Sequence, residues 1–498
     1  MTNNSHKKTK KDNDLFSKVQ LMTYPDSLGG NLATLKNVLE TSFDKAVGFV
    51  HILPPYPSSG DRGFAPLTHL EIEPKWGKWK DIQKISEQKG LMLDIIAGHV
   101  SVESKFFEDY LQKGEKSQYY DMFARIEKTF PDGIIKIDEL EKFGYLTPIP
   151  PMIIFKLKDG KCKIHFKTFM PTQADLDLDS TVAQKILTEF IQNHAKMGVK
   201  MVRLDAVETV CKDRNLGFHL VPHTFEIMQW LIDTIKENGM EVLCEVFGEE
   251  KLKNKIVKMG AWIYDFNLPD IILHAVLSQK SHHLKSWFAK KSQNIITVLT
   301  NHDGFMTGRI LQSLSPTEAA FTRSKMLENA GSLTQKASGV VANNIATDGI
   351  NGTLLEVVGH DQEKWLIAHI LHLFAPGTPQ VYYNDILAQA NDLEAFKETG
   401  EGRSLIRHNF STEELTQTLK IPPVEKMIKL MEFRNNFQAF DGSQKVFESG
   451  DHELIMTWQK GEYQTKLTLD LFHFQYTIEY QSPLEEVKTW GLESQFEW

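Results

Sequence analysis

Met201-Val202-Arg203-Leu204-Asp205-Ala206 is an apolar run that carries one arginine and one aspartate. A run of this kind reads as a strand buried on both faces, where charge is costly unless it is paired or used. Taken alone, the two residues read first as a structural ion pair, because such pairs are commoner than active sites. The rest of the chain decides between the two readings.

Short apolar runs ending in a polar or charged residue recur, each followed by a stretch long enough for a helix. They span 19–24, 48–53, 91–97, 200–206, 241–247, 262–266, 295–301 and 380–383. Eight such runs predict an α/β fold, a parallel (β/α)8 TIM barrel with its catalytic residues at the C-terminal strand ends. Periodicity alone leaves an open doubly wound sheet as the alternative. The catalytic barrel is expected over 15–440, with two gaps too long for one helix. The first, 101–181 after the third run, contains Thr147-Pro148-Ile149-Pro150-Pro151 and alternating segments, and reads as an inserted small domain. The second, 304–359 after the seventh run, is rich in Gly, Ser, Thr and Asn. It reads as a lid-like long loop with short helices. From 441 to 498 the alternation of Leu454 to Trp458 and Lys466 to Leu471 predicts a small antiparallel β-domain.

Length and charge narrow the class further. A chain of 498 residues accommodates a large barrel and an accessory domain. A formal net charge of -9 argues against nucleic acid as a partner and offers an anionic substrate no general attraction. Cys162, Cys211 and Cys244 lack metal-ligand spacing. They predict buried thiols in a reducing compartment rather than a disulfide framework. Residues 1–14 are polar and Lys-rich without an apolar core, and are expected to be a disordered tail rather than a signal peptide or anchor. The expected location is cytoplasmic, with no membrane partner.

Three carboxylates fall at the ends of different predicted strands: Asp205, Glu245 and Asp303. Asp94 and His99 flank the end of the third strand, and His302 adjoins Asp303. In a barrel these converge on one mouth, which turns the opening reading from structural to catalytic. Two carboxyls about 5 Å apart cleave a glycosidic bond with retention, one attacking the anomeric carbon while the other protonates the leaving oxygen. Arg203, on the same strand face as Asp205, is expected to hold that carboxyl down and keep it ionised. Glu245, among Val242, Leu243, Cys244, Val246 and Phe247, is expected to be pushed up and suited to acid work. Asp303 would bind sugar hydroxyls, with His99 and His302 bordering the acids.

Arg203-Leu204-Asp205-Ala206, Glu245-Val246 and Asn301-His302-Asp303-Gly304 resemble the signature regions of the α-amylase superfamily, glycoside hydrolase family 13. Longer stretches resemble its sucrose phosphorylase subfamily: 19–29, 51–66, 376–383, and Asn391-Asp392-Leu393-Glu394 with Gly402-Arg403. The resemblance runs from about Lys18 to Phe440. It implies double displacement, with Asp205 as nucleophile, Glu245 as acid/base and Asp303 as transition-state stabiliser. It also implies a glucose pocket in which Asp61 and Arg403 hold the far hydroxyls, Phe64 and Phe169 supply aromatic faces, and His99, Gln173, Arg203 and His302 contact the ring. Inorganic phosphate is then the co-substrate, giving α-glucose 1-phosphate, with no other cofactor and no metal.

The departures from the subfamily pattern cluster on the acceptor side. Gly98 stands where the family has Asn, and Phe247 where it has His. Ala346-Thr347-Asp348-Gly349 replaces Asp-Leu-Tyr-Gln, and Leu146-Thr147-Pro148-Ile149 follows Tyr145 in place of an Arg-rich segment. The loops of Tyr145 and Asp348 are therefore the candidate acceptor loops, and either could supply phosphate donors. The expected activity is a sucrose phosphorylase-like glycosyltransferase. Alternatives are phosphorolysis of sucrose 6-phosphate, glucosylglycerol or glucosylglycerate, a retaining α-glucosidase or transglucosidase, and an inactive sugar-binding protein. Retention of all three acids argues against the last. The subfamily implies a monomer or homodimer.

Overall fold

The structure, a computed structural model, describes residues 15–143, 151–290, 294–305, 313–338 and 349–491. The tail at 1–14 and the loops of Tyr145 and Asp348 lie outside the described residues.

Eight parallel strands close into a barrel. They are β1 (Gln20–Thr23), β2 (Phe49–Ile52), β3 (Gly90–Ile95), β4 (Met201–Leu204), β5 (Glu241–Cys244), β6 (Trp262–Asp265), β7 (Ile295–Thr297) and β8 (Thr378–Tyr382). Every predicted run overlaps one of them. Pairing of β8 with β1, Gln20 opposite Gln380, closes the ring and removes the open-sheet alternative. The strands read as continuous apolar runs because one face packs the barrel interior and the other meets the helices outside.

The helix entering β4 shows how locally the sequence specifies this. In α1 (Thr181–Lys196) the buried residues Ala183, Ile186, Leu187, Phe190, Ile191 and His194 recur every three or four positions. They form one apolar stripe. Ser180 caps the helix, its hydroxyl accepting from the Val182 and Ala183 N–H groups. Pairing of β4 with β3 sets Asp94 opposite Arg203, and pairing with β5 sets Arg203 opposite Leu243.

After β3 the chain leaves the barrel. Residues His99–Ser101 pair antiparallel with Gln173–Asp175, and Met152–Lys156 pairs with Cys162–Phe166. Ala124, Phe130, Phe143 and Phe166 of this inserted region form a separate apolar cluster with Phe218 from the loop after β4.

Three further helices concern the argument below: α2 (Leu268–Ser278), α3 (His282–Phe288) and α4 (Pro316–Ala337). The last corrects the expectation of short helices in the second insertion, since it runs for 22 residues with a kink at Gly331. Its buried face is Ala319, Thr322, Met326, Ala330, Thr334 and Ala337. The spacing is helical, but small and hydroxyl residues occupy it, so the apolar period is faint. The Ser315 to Glu318 capping box was the legible start signal.

The C-terminal sheet is a sequential antiparallel meander of β9 (Ser443–Phe447), β10 (Glu453–Lys460), β11 (Tyr463–Asp470), β12 (Gln475–Gln481) and β13 (Lys488–Gly491). It docks on the barrel helices: the Trp458 indole N–H donates to the Phe374 carbonyl at 2.9 Å, and the Ser281 N–H to Asp451 at 2.8 Å. A buried aromatic of this kind removes about 150–250 Å² from water, about 4–6 kcal/mol at ~25 cal/mol per Å².

Cys211 and Cys244 are buried free thiols, but Cys162 is exposed. It begins a strand of the inserted hairpin and faces outward there, so the expectation of buried thiols fails at that position. No helix among the described residues is long and apolar enough to cross a membrane.

Candidate active site

Arg203 organises the barrel mouth. Its guanidinium is 1% exposed and meets three carboxylates: Asp94 and Asp205 through Nη1, Glu245 through Nη2. The Asp205 contact is 3.0 Å and the Glu245 contact 2.7 Å. Asp94 is wholly buried and also bonds His51 Nε2 at 2.8 Å. Burial works to raise the Asp94 carboxyl, but Arg203 and His51 outweigh it and hold it at about 2. Asp94, prominent in sequence, thus serves as the buried counter-ion of the arginine.

One positive charge shared among three carboxylates leaves the other two under-compensated. Burial first, then Glu245, Asp94 and Asp303, push the Asp205 carboxyl well above the usual range in spite of Arg203. This reverses the expectation that Arg203 holds Asp205 down, because that expectation gave the arginine a single partner. Burial also raises Glu245, with Asp303 adding to the effect. Burial and mutual repulsion thus bias both carboxyls towards the protonated form.

The turn after β4 brings the two acids together. Ala206 sits in the left-handed region at φ 41°, sparsely populated for a residue with a Cβ. In that conformation its N–H donates to Glu245 Oε2 at 2.8 Å. Backbone N–H groups of Asp205 and Glu245 are held by Ile95 and Leu204 carbonyls at 3.3 and 3.1 Å. Both carboxylates thus stand on strand ends fixed by barrel pairing.

A second cluster faces them. Arg403 bridges Asp61 at 2.7 Å and Asp303 at 2.9 Å. Arg407 reaches the same oxygens at 3.4 Å and donates through Nε to the His302 carbonyl at 2.9 Å. Burial alone would raise Asp303, but His302, Arg403 and Arg407 hold its carboxyl well below the ordinary range. Burial lowers His302 to about 3, so the imidazole is neutral near pH 7. Its ring stacks on Phe64 at 4.9 Å, 4° from parallel.

The loop bearing Asp61 and Phe64 is strained into place. Asp61, Arg62 and Gly63 all have positive φ, at 50°, 47° and 107°. At Gly63 an added Cβ would lie 2.3 Å from the Pro54 carbonyl oxygen. The Phe64 carbonyl accepts from His99 Nε2 at 2.7 Å and Gln173 Nε2 at 3.1 Å. Antiparallel pairing of His99–Ser101 with Gln173–Asp175 delivers both donors. Gln173 Oε1 is taken by the Met170 N–H at 2.9 Å, so in this state Gln173 positions the Phe64 loop. Phe169 lies edge-on to His99 at 5.7 Å.

The structure thus gathers Asp205, Glu245, Arg203, Asp303, His302, Arg403, Asp61 and Phe64 into one contact network, with His99, Gln173 and Phe169 joined to it through Phe64. Arg407 and Tyr24 were not singled out from sequence. Arg407 follows Arg403 within the same segment, which was the available signal. Tyr24 lies edge-on to His302 at 6.2 Å, with Arg62 4.0 Å over its ring.

Two of the sequence departures are visible. Phe247 stacks on Phe266 at 4.4 Å, building an aromatic wall where the family has an imidazole. Gly98 has room: the nearest atom to an added Cβ is Val210 Cγ1 at 3.5 Å.

Comparison with known proteins gives this geometry relatives. Residues 45–341 match the family model of the alpha amylase catalytic domain. A sucrose 6(F)-phosphate phosphorylase of Thermoanaerobacterium thermosaccharolyticum is 38% identical, covering 95% of this chain and 99% of its own. A sucrose phosphorylase of Bifidobacterium adolescentis is 34% identical over 91% of this chain and 92% of its own. The crystal structure of the sucrose 6F-phosphate phosphorylase from Thermoanaerobacter thermosaccharolyticum superposes with a TM-score of 0.89 at 36% identity, covering 96% of this chain and 98% of that one.

Proposed function

The chain belongs to the α-amylase family and, within it, to the sucrose phosphorylase group, and from that membership we propose that it is a retaining α-glucoside phosphorylase that forms α-glucose 1-phosphate. The observation that carries this reading is the grip of one guanidinium on both Asp205 and Glu245, at 3.0 and 2.7 Å. That grip suits the separation of about 5 Å at which one carboxyl attacks while the other protonates.

In the first step ionised Asp205 attacks the anomeric carbon while protonated Glu245 gives its proton to the leaving glycosidic oxygen. The bond to the leaving alcohol breaks as the ester to Asp205 forms. In the second step a phosphate oxygen, deprotonated by Glu245, attacks the same carbon and releases Asp205. Two inversions give retention. Asp303 and Asp61, aligned by Arg403, accept from glucose hydroxyls, and the Phe64 face packs the ring. The chain's own acids and arginines supply the charge stabilisation, so this chemistry needs phosphate as co-substrate and no further cofactor.

The donor to test first is sucrose 6F-phosphate, followed by sucrose and glucosylglycerol, because the 38% relative and the superposed crystal structure carry that name. One observation favours water as a competing acceptor: Arg203, Arg403 and Arg407 are each already paired with carboxylates. A cavity of about 540 Å³ between the inserted region and the loop after β4 is lined by Arg125, Lys128, Lys212 and Arg214. Those cations are paired too, with Asp121, Asp177, Asp175 and Asp132. Incubation with each donor, with and without phosphate, separates the readings. Phosphate-dependent glucose 1-phosphate supports the phosphorylase, and free glucose regardless of phosphate overturns it in favour of a retaining glucosidase.

A further inference from the structure

Outside the active site, three helices bring imidazoles and a carboxylate to one point. His274 stands on α2, His282 and His283 open α3, and Glu318 lies in the first turn of α4. The Glu318 carboxylate is divided in its duties. Oε2 accepts from the Ser315 N–H at 3.0 Å and the Ser315 hydroxyl at 2.6 Å, completing the capping box. Oε1 faces His283 Nε2 at 3.1 Å, His282 Nε2 at 3.5 Å and His274 Nε2 at 3.8 Å.

The tautomer of His274 can be read from its neighbours. The Thr322 hydroxyl spends its only hydrogen on the Glu318 carbonyl at 2.8 Å, so towards His274 Nδ1, 2.8 Å away, it accepts. Nδ1 therefore carries the hydrogen and Nε2 presents a lone pair. The Ser278 hydroxyl lies 3.4 Å from that nitrogen, at the outer edge of hydrogen bonding. A lone pair on a 2% exposed ring thus points towards a carboxylate oxygen. Two acceptors turned on one another, one on a buried ring and the other on a carboxylate 27% exposed, suit a cation between them.

We propose that His274, His283 and Glu318 bind a divalent cation of the zinc class, with the fourth position taken by His282 or water. The ligand atoms of these three residues lie within 4.8 Å of one another. Zinc bonds of about 2.0–2.2 Å put tetrahedral ligand atoms roughly 3.4 Å apart, so small side-chain movements close the site. Two or more imidazoles with one carboxylate suit zinc better than calcium or magnesium, which take oxygen. Thr322 plays the outer-shell part, orienting the His274 ring through Nδ1–H. The cation clamps α2, α3 and the head of α4 together. Ligands at 274, 283 and 318 have no short spacing, so the sequence gives no hint of such a site.

The test uses the full chain stripped with EDTA, titrated with Zn²⁺ by calorimetry and with Co²⁺ by visible absorption. One ion per chain with tetrahedral Co²⁺ bands is expected. Glu318→Gln and His283→Ala should each weaken binding at least about tenfold. Glutamine still completes a capping box, so E318Q keeps its helix start, and the thermal midpoint without metal checks its fold. Cys162→Ser controls for the exposed thiol and should bind as the native chain does. The proposal fails if no stoichiometric binding occurs, if binding survives both ligand substitutions, or if it is lost in Cys162→Ser.

Discussion

Replacing Arg403 with alanine tests the organisation of the glucose side directly. The guanidinium, 10% exposed, is the closest partner of both Asp61, 5% exposed, and Asp303, 26% exposed. Removing it leaves two carboxylates facing one another with Arg407 at 3.4 Å from each and His302 Nε2 at 3.3 Å from Asp303. A charged hydrogen bond at a buried site is worth about 1.5–3 kcal/mol, and breaking a fully buried pair costs about 3–5 kcal/mol. The Asp61 end should carry about 2 kcal/mol and the more solvated Asp303 end about 1 kcal/mol. A loss of about 3 kcal/mol in a chain this long lowers the thermal midpoint by about 3–6 °C. The sign with pH follows from Asp303. Its folded carboxyl lies below the unfolded value, so its contribution is present above about pH 4 and lost as the pH falls further. The gap between native chain and Arg403→Ala should therefore be full at pH 7 and narrow below pH 4, in scanning calorimetry at both pH values. Loss of an aligned carboxylate should also lower kcat/KM by at least about 100-fold. A midpoint unchanged within about 1 °C at pH 7, or a gap that does not narrow in acid, would refute the bridging role.

Asp205→Asn keeps the shape of the side chain and removes the nucleophile, so turnover measured as initial glucose 1-phosphate release should fall by several orders of magnitude. Residual activity above about one hundredth sinks that assignment. Because burial raises both Asp205 and Glu245, the pair should keep its working proton well past the ordinary carboxylate range of about 4. The alkaline limb of the kcat/KM profile, where rising pH strips that proton, should then lie clearly above 4.5, and a limb at 4 to 4.5 contradicts the raised pair. Gly98→Asn should fold normally, with a stability change within about 0.5 kcal/mol by urea titration, since the added Cβ meets only Val210 at ordinary contact distance. A large loss there would show that packing, rather than function, excludes the family's asparagine.

Much of the catalytic layout was legible because barrel strands announce themselves. Each of the runs from Val19 to Tyr383 is apolar on both faces, and Asp205, Glu245 and Asp303 are placed by their position at strand ends. What periodicity hides is any element whose buried face is built from weakly apolar residues. Helix α4 is the example: Ala319, Thr322, Ala330 and Thr334 bury at helical spacing yet look like loop composition.

By itself the sequence determined the succession of buried strands and helices and the set of acids at the strand ends, because burial on two faces and strand-end position are local properties of short segments, while closure into a barrel came from the pairing of β8 with β1. Only the tertiary structure decided how charge is shared there. Arg203 proves to serve Asp94, Asp205 and Glu245 at once, so Asp205 is raised where a two-residue pair predicts it lowered. The same holds for Arg403 and Arg407 between Asp61 and Asp303, and for the histidines of α2 and α3 around Glu318. A carboxyl's protonation depends on every charge within a few ångströms, and many of those neighbours come from segments tens to hundreds of residues away.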